Sequence, residues 1–341
     1  RAKEDYLMGI NFSRLLTLKY GNSISNYLGN KYTVVSVGRV MTCVLGMVVR
    51  REREIREFVK TPFYRVIESV NVDGHTFTGE WRAVKGSAYF ESPKLYKENG
   101  FKEKEEAKKL IAVLKEGTSP LTCRIVSIEK KKEKKNPPLL FNLAELQNEC
   151  SKRFKISPDE TLRIVQELYE KKLVTYPRTD ARVLSTAVSK EITKNLNGLS
   201  KYQMAAPYMQ DILHYGVYKN LAKTRYVNDK QITDHYAIIP TGQGLSALNS
   251  VSATAHHVYD VIVRRFLSIF YPPAVYQKVA LVTQIGKEQF FSNFRVLAEE
   301  GYLKVAGVPA PKKNANGNDA EGDGSDNNVD LDAAFFASIQ K

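Results

Sequence analysis

The chain has 341 residues, with 51 Lys or Arg against 37 Asp or Glu, a formal net charge of +14, and 43% hydrophobic residues. That length predicts two or three domains with real cores, and the apolar content excludes a disordered basic tail. The 26% charged residues, the lack of any run of 18 apolar residues and the lack of a leader segment exclude a membrane span or a secretion signal, and Cys43, Cys123 and Cys150 without a CxxC spacing exclude a disulfide framework and point to a reducing cytosol.

The chain opens on Arg1 rather than Met and reads as a piece of a longer protein. Residues 1–60 read as two helices parted by a Gly-, Asn- and Ser-rich turn between Gly21 and Asn30. In the second, Val40, Val44, Met47, Val48, Ile55 and Phe58 recur at three- and four-residue steps, an apolar stripe broken by Arg51, and the other face carries Arg50, Arg53 and Arg56. From Pro62 the period becomes two, and strands over 63–72 and 75–81 flank Asp73-Gly74, a strong hairpin signal. A helix over 102–114 and a strand over 121–129 follow. The run Lys130 to Lys135, ahead of Asn136-Pro137-Pro138, reads as a solvated connection between domains.

Helices then return. Leu143, Leu146 and Cys150 mark one, and Ser157-Pro158-Asp159-Glu160 opens the next as a capping box, with Leu162, Val165, Leu168 and Tyr169 as its buried face. Two helices and an extended segment from Leu173 to Pro177 have the outline of a winged-helix or helix-turn-helix unit, an outline many helical domains share. More helix is expected over 186–196, 202–214 and 252–270. Alternation resumes at Val275, Gln277, Val279, Leu281 and Thr283, with a turn at Gly286-Lys287 and a partner strand beyond.

The expected fold class is therefore multidomain α+β, with helical domains and an antiparallel β domain interrupted by a helical, winged-helix-like insertion. The expected divisions are 1–60 helical, 61–135 β, 136–272 helical, 273–308 return strands and 309–341 an acidic flexible loop. Residues 314–341 carry six acids against Lys341, a net of −5, so the first 313 residues carry +19, a charge suited to a polyanion partner.

The stretch LVTYPRTDARVLS, beginning at Leu173, sets Tyr176, Arg178 and Asp180 at alternate positions. A residue before proline is pushed to extended geometry, so Tyr176 and Arg178 are expected to project to one side. A free Tyr, with a pKa of about 10, is phenolate only about once in a thousand at neutral pH. It becomes a useful nucleophile where positive charge stabilises both the phenolate and an anionic phosphorus transition state, as the forked Arg guanidinium does. A turn with a surface cation accounts for Tyr-Pro-Arg equally well. His75, His214, His256 and His257 fall in no such motif and read as structural.

SVGRVMTCVLGMVVRREREI from Ser36, LVTYPRTD from Leu173 and TDHYAIIPT from Thr233, together with the opening RAKEDYLMGINFSRLLT, resemble in sequence and order the type IA DNA topoisomerases, nearest the topoisomerase III branch, up to about residue 305. The resemblance implies that Tyr176 attacks a single-stranded DNA phosphodiester, giving a 5′-phosphotyrosyl link and a free 3′-hydroxyl, resealed without ATP. It implies that Arg178 contacts the scissile phosphate, that His235 makes a phosphate or proton contact, and that Ser36, Val37, Gly38, Arg39, Val40 and Met41 form a single-strand-binding turn at a helix start, with Arg1, Asp5 and Thr175 also at DNA-contacting positions. Met41 departs from the Gln usual in the family. The resemblance further implies Mg²⁺ held by an upstream toprim domain, with no metal ligands in this chain. Asp330 and Asp332 form its only D-x-D and are given no catalytic role. The chain then corresponds to a core lacking toprim and the C-terminal end, which binds single-stranded DNA without relaxing supercoils. The parent is expected to act on negatively supercoiled DNA as a monomer, in the cytoplasm at the bacterial nucleoid and not at a membrane. The alternative is a non-enzymatic winged-helix protein reading a specific duplex through 139–180.

Overall fold

The computed structural model describes residues 2–72, 74–116 and 121–307. Arg1, Asp73 and the acidic stretch with Asp330 and Asp332 lie outside them. The chain divides into two compact units, Arg1–Phe63 and Tyr64–Lys341.

The first unit holds α1 (Ala2–Leu28) and α2 (Arg39–Arg56). The turn expected between Gly21 and Asn30 is corrected: α1 runs on through Gly21 and reverses only at Gly29, where φ is +69°. Gly21 serves close approach instead, since a Cβ there would lie 2.9 Å from the carbonyl oxygen of Thr33. The returning strand of chain is tied to α1 by side chains, Thr17 Oγ1 accepting from Val35 N and Ser13 Oγ from Val37 N, both at 2.9 Å. The apolar stripe of α2 is helical as expected, yet no residue of α2 is buried. Two helices and a connector supply no third element to cover it.

In the second unit β1 (Ile67–Val72) and β2 (His75–Arg82) form the expected hairpin, closed by the pair Val72–His75 with Gly74 at φ +82°. The short pair β3 (Leu95–Lys97) and β4 (Gly100–Phe101) and helix α3 (Lys104–Lys115) follow, then β5 (Arg124–Lys135). After the helical block come β6 (Ala274–Ile285) and β7 (Glu288–Glu299), and the five long strands form one antiparallel sheet in the order β1-β2-β7-β6-β5. Thus β5 and β6 are sheet neighbours although the whole helical block lies between them in sequence. The expected connection at Lys130–Lys135 is likewise corrected. These residues are the second half of β5, paired with β6 from Lys130–Val279 through Lys135–Ala274. Lysines are poor strand formers but common on an edge strand, where their charge keeps the open backbone from pairing elsewhere.

Two apolar clusters cover the sheet's inner face, one around Phe77, Val279, Leu281 and Phe294, the other around Trp81, Phe101, Phe290 and Leu110 of α3. Between them Glu68 lies across Gly79 and Ser292 to accept a hydrogen bond from Thr283 Oγ1. A Cβ on Gly79 would stand 2.6 Å from Glu68 Oε1, so glycine opens this path. Burial pushes the Glu68 carboxyl above the usual carboxylate range.

The block itself comprises α4 (Leu143–Phe154), α5 (Pro158–Glu170), α6 (Thr186–Leu199), α7 (Ala206–Tyr215) and α8 (Ala253–Ser268), joined after β7 by the short α9 (Leu303–Ala306). Asn142, Ser157, Ser185 and Ser252 each cap a helix by accepting a backbone N–H three residues on. The core joins Leu146, Val165, Leu168, Val258, Ile262 and Phe266. On α5 the buried face is Thr161, Ile164, Val165 and Leu168, while Leu162 is only half-buried and Tyr169 is 38% exposed.

Candidate active site

Two irregular stretches, 173–184 and 235–241, run side by side through the helical block, and two threonines clamp them together. Thr175 N donates to Ile239 O, while its hydroxyl donates to Ala237 O and accepts from Ile239 N, all at 3.0 Å. Thr179 Oγ1 donates to His235 O at 2.8 Å and accepts from Ala181 N at 3.1 Å. Tyr176-Pro177-Arg178 is therefore held at both ends against His235–Ile239. Helix α4 adds a third tie: Asn142 caps it through Oδ1 and donates through Nδ2 to Asp180 O at 3.1 Å, and Leu143 N donates to Thr179 O at 3.2 Å.

This clamp brings the Tyr176 and His235 rings to 4.3 Å between centroids, tilted by 43°. The Tyr169 ring, from the last turn of α5, meets Tyr176 edge-on at 5.4 Å. The three rings, with Lys172, Thr175, Tyr236 and Gln243, line a cleft of about 580 Å³. Burial raises the Tyr236 phenol above its ordinary pKa. Lys172 enters the cleft from an uncommon backbone. It ends α5 with φ +61°, its N–H bonded to Tyr169 O and that of Leu173 to Leu168 O, the closing motif that usually takes glycine. The far wall is fixed by Gly242, φ +76°, where a Cβ would lie 2.6 Å from Asn195 O of α6.

Of the expected site residues, Tyr176, Thr175 and His235 are brought together, and Arg178 is not among the residues lining the cleft. The chain turns at Pro177, with Thr179 N donating to Pro177 O, and Arg178 is exposed. Sequence reasoning missed Tyr169, Lys172 and Thr179. Lys172 had a signal in standing directly ahead of the motif, whereas Tyr169 was assigned to the core by its place on the α5 stripe. Within the first unit the other expected residues gather at the start of α2. Arg39 pairs with Asp5 at 2.6 Å, and Ser36, Val40 and Met41 are exposed. Gly38 precedes the helix in extended geometry and offers no side-chain cap. Arg1 lies outside the described residues. Among those residues no three His, Cys, Asp or Glu side chains converge to hold a metal ion, so they do not fit Mg²⁺. No described helix is long and apolar enough to cross a membrane.

The antiparallel sheet with a helical block set between its strands agrees in fold with what comparison with known proteins shows. The chain belongs to the type IA DNA topoisomerase family, since the family model for DNA topoisomerase matches residues 1–332. Within that family it is similar to the DNA topoisomerase 3 of Bacillus subtilis (strain 168), 32% identical over 306 residues, and to that of Bacillus licheniformis, 33% identical over 306 residues. Each match covers 89% of this chain, which spans 37% of the length of those relatives. The fold is shared with full-length topoisomerase I from Thermotoga maritima, TM-score 0.55 at 24% identity, over 87% of this chain and 45% of that one.

Proposed function

We propose that this chain supplies the nucleophile of a type IA DNA topoisomerase acting on single strands in negatively supercoiled DNA. The Tyr176 hydroxyl attacks a phosphodiester phosphorus. The bond to the 3′ oxygen breaks, that oxygen leaves as a hydroxyl carrying the proton the phenol gives up, and the DNA stays bonded to Tyr176 through its 5′ phosphate. Resealing is the reverse attack by the 3′-hydroxyl. The phosphotyrosyl bond conserves the energy of the bond broken, so no ATP is consumed. The observation that carries this reading is the Tyr176–His235 ring pair in the cleft, held by the Thr175 and Thr179 clamps.

In this reading His235 makes the phosphate or proton contact and Arg178, exposed at the surface, folds its guanidinium onto the scissile phosphate when DNA enters. Asp5, Ser36 to Met41 and Thr175 follow the DNA strand, with Arg1 ahead of them. Residues 136–272 form a winged-helix-like insertion between two parts of a β domain, 61–135 and 273–308, after a helical domain over 1–60 and before an acidic loop over 309–341. The parent works as a cytoplasmic monomer at the nucleoid, and the Mg²⁺ implied by the family is assigned to no residue of this chain. The test uses the complete protein. Tyr176→Phe is expected to abolish covalent adducts with single-stranded oligonucleotides while retaining binding; persisting adducts place the nucleophile elsewhere. Arg178→Ala is expected to lower cleavage far more than single-strand affinity, and an equal loss of both would make it a general phosphate clamp.

A further inference from the structure

The lysine run of β5 is unused by this chemistry, and its place in the fold gives it one. Among the described residues strand β5 is an edge strand, paired only with β6, and it carries Arg124 and five lysines against Glu129 and Glu133, a net of +4. Both acids are already answered. Glu129 pairs with Lys131 at 2.9 Å, and Glu133 with Lys278 and Arg295 at 3.3 Å each. Lys132, Lys134 and Lys135 are exposed and have no ion pair among the described residues. Pairing along the whole strand makes the array rigid: Lys130, Lys132 and Lys134 share one face in rows with Val279, Gln277 and Val275. At the rise of a strand they span about 13 Å, roughly four phosphates of one duplex strand along its axis.

We propose that the β5 edge is a track for the phosphate backbone of duplex DNA, separate in role from the single-strand cleft at Tyr176; the inference rests on the topoisomerase reading. Duplex is favoured over single strand because single-strand sites place aromatic platforms under the bases. The aromatic of the opposite face of these rows, Tyr276, is already covered by the Arg295 guanidinium, 3.8 Å from its ring centroid. The exposed side chains left on these rows are lysines, suited to backbone contacts rather than to bases. The rival role of the lysines is to keep an open edge from pairing with other chains, and either sign of charge serves that purpose.

The charge-reversal variant Lys132→Glu/Lys134→Glu, with both residues on that face, separates the two roles, because it keeps the edge charged but repels phosphate. In the complete protein the slope of log affinity for a blunt duplex oligonucleotide against log salt is expected to fall by about 2, since each lysine–phosphate contact contributes about 0.9. The matching Arg variant keeps the slope. Adduct formation on a short single-stranded oligonucleotide stays as in the parent, and relaxation of negatively supercoiled plasmid drops. An unchanged duplex slope in the Glu variant overturns the track and leaves edge protection. Absence of adducts in the parent protein defeats the topoisomerase reading instead, which the duplex slope does not measure.

Discussion

Helices α2 and α5 carry the same kind of apolar stripe and meet opposite fates. Every residue of α2 stays unburied, with Val40 75% and Met47 70% exposed, whereas Val165 and Leu168 of α5 are fully enclosed. The difference lies in the neighbours. Helix α5 packs among α4 and α8 in a core of many helices, while α2 has only α1 and a connector in its own unit. Periodicity reports that a segment is a helix; burial needs another surface to meet it. The same contrast separates the two sets of expected site residues. Tyr176 and His235 are held by a packed block, and Asp5, Arg39 and Met41 stand on two exposed helices.

The contrast is most exposed to test at its cores. Leu168→Ala should cost about 2–5 kcal/mol in urea unfolding, because the enclosed site cannot collapse around the lost atoms. Val48→Ala on α2, 53% exposed, should change stability by no more than about 0.5 kcal/mol. Comparable losses at both positions would erase the distinction. The helix caps give the next largest effect. Ser157→Ala removes the acceptor for Glu160 N and should destabilise the block by about 1 kcal/mol. At Gly38 a side chain meets nothing within 4 Å, so Gly38→Ser should instead stabilise α2 by a few tenths of a kcal/mol, read as increased helical circular dichroism at equal temperature.

The smallest effect is electrostatic and belongs to the block. Asp211 on α7 accepts from Lys304 Nζ at 2.7 Å and from Tyr271 Oη at 2.9 Å, and these bonds hold its carboxyl below the ordinary aspartate range. A depressed native pKa means that the stabilisation is complete above the unfolded value and is lost as pH falls through the native one. Thermal unfolding of the parent should therefore weaken below the ordinary aspartate pKa slightly more than that of Asp211→Asn. Identical pH profiles would show that these bonds add no stability.

Much of the site was legible because its chemistry is local. Tyr176, Pro177 and Arg178 are contiguous, and the capping box at Ser157 is satisfied in part as written, Ser157 Oγ accepting from Glu160 N at 3.1 Å. The partnership of Tyr176 with His235 was legible only through family resemblance, for nothing in the spacing of two residues 59 positions apart announces a ring contact. Tyr169 differs from its expected place because a stripe wider than its buried face looks the same in sequence. Lys130–Lys135 reads as a connection because a basic run ahead of a double proline is most often solvated, and β6 overrides that pattern by supplying the hydrogen bonds.

By itself, then, the sequence determined most element types, the return of the sheet after a helical block, the family and a candidate tyrosine, all matters of pattern within short windows or of ordered motifs. Only the tertiary structure decided which stripes are buried, where α1 ends, that the lysine run is an edge strand, and that Tyr176 faces His235 and Tyr169 while Arg178 lies outside the cleft. Those outcomes depend on which distant surfaces meet. Burial, strand pairing and ring contact are energies of pairs, and a linear pattern holds only one member of each pair at a time.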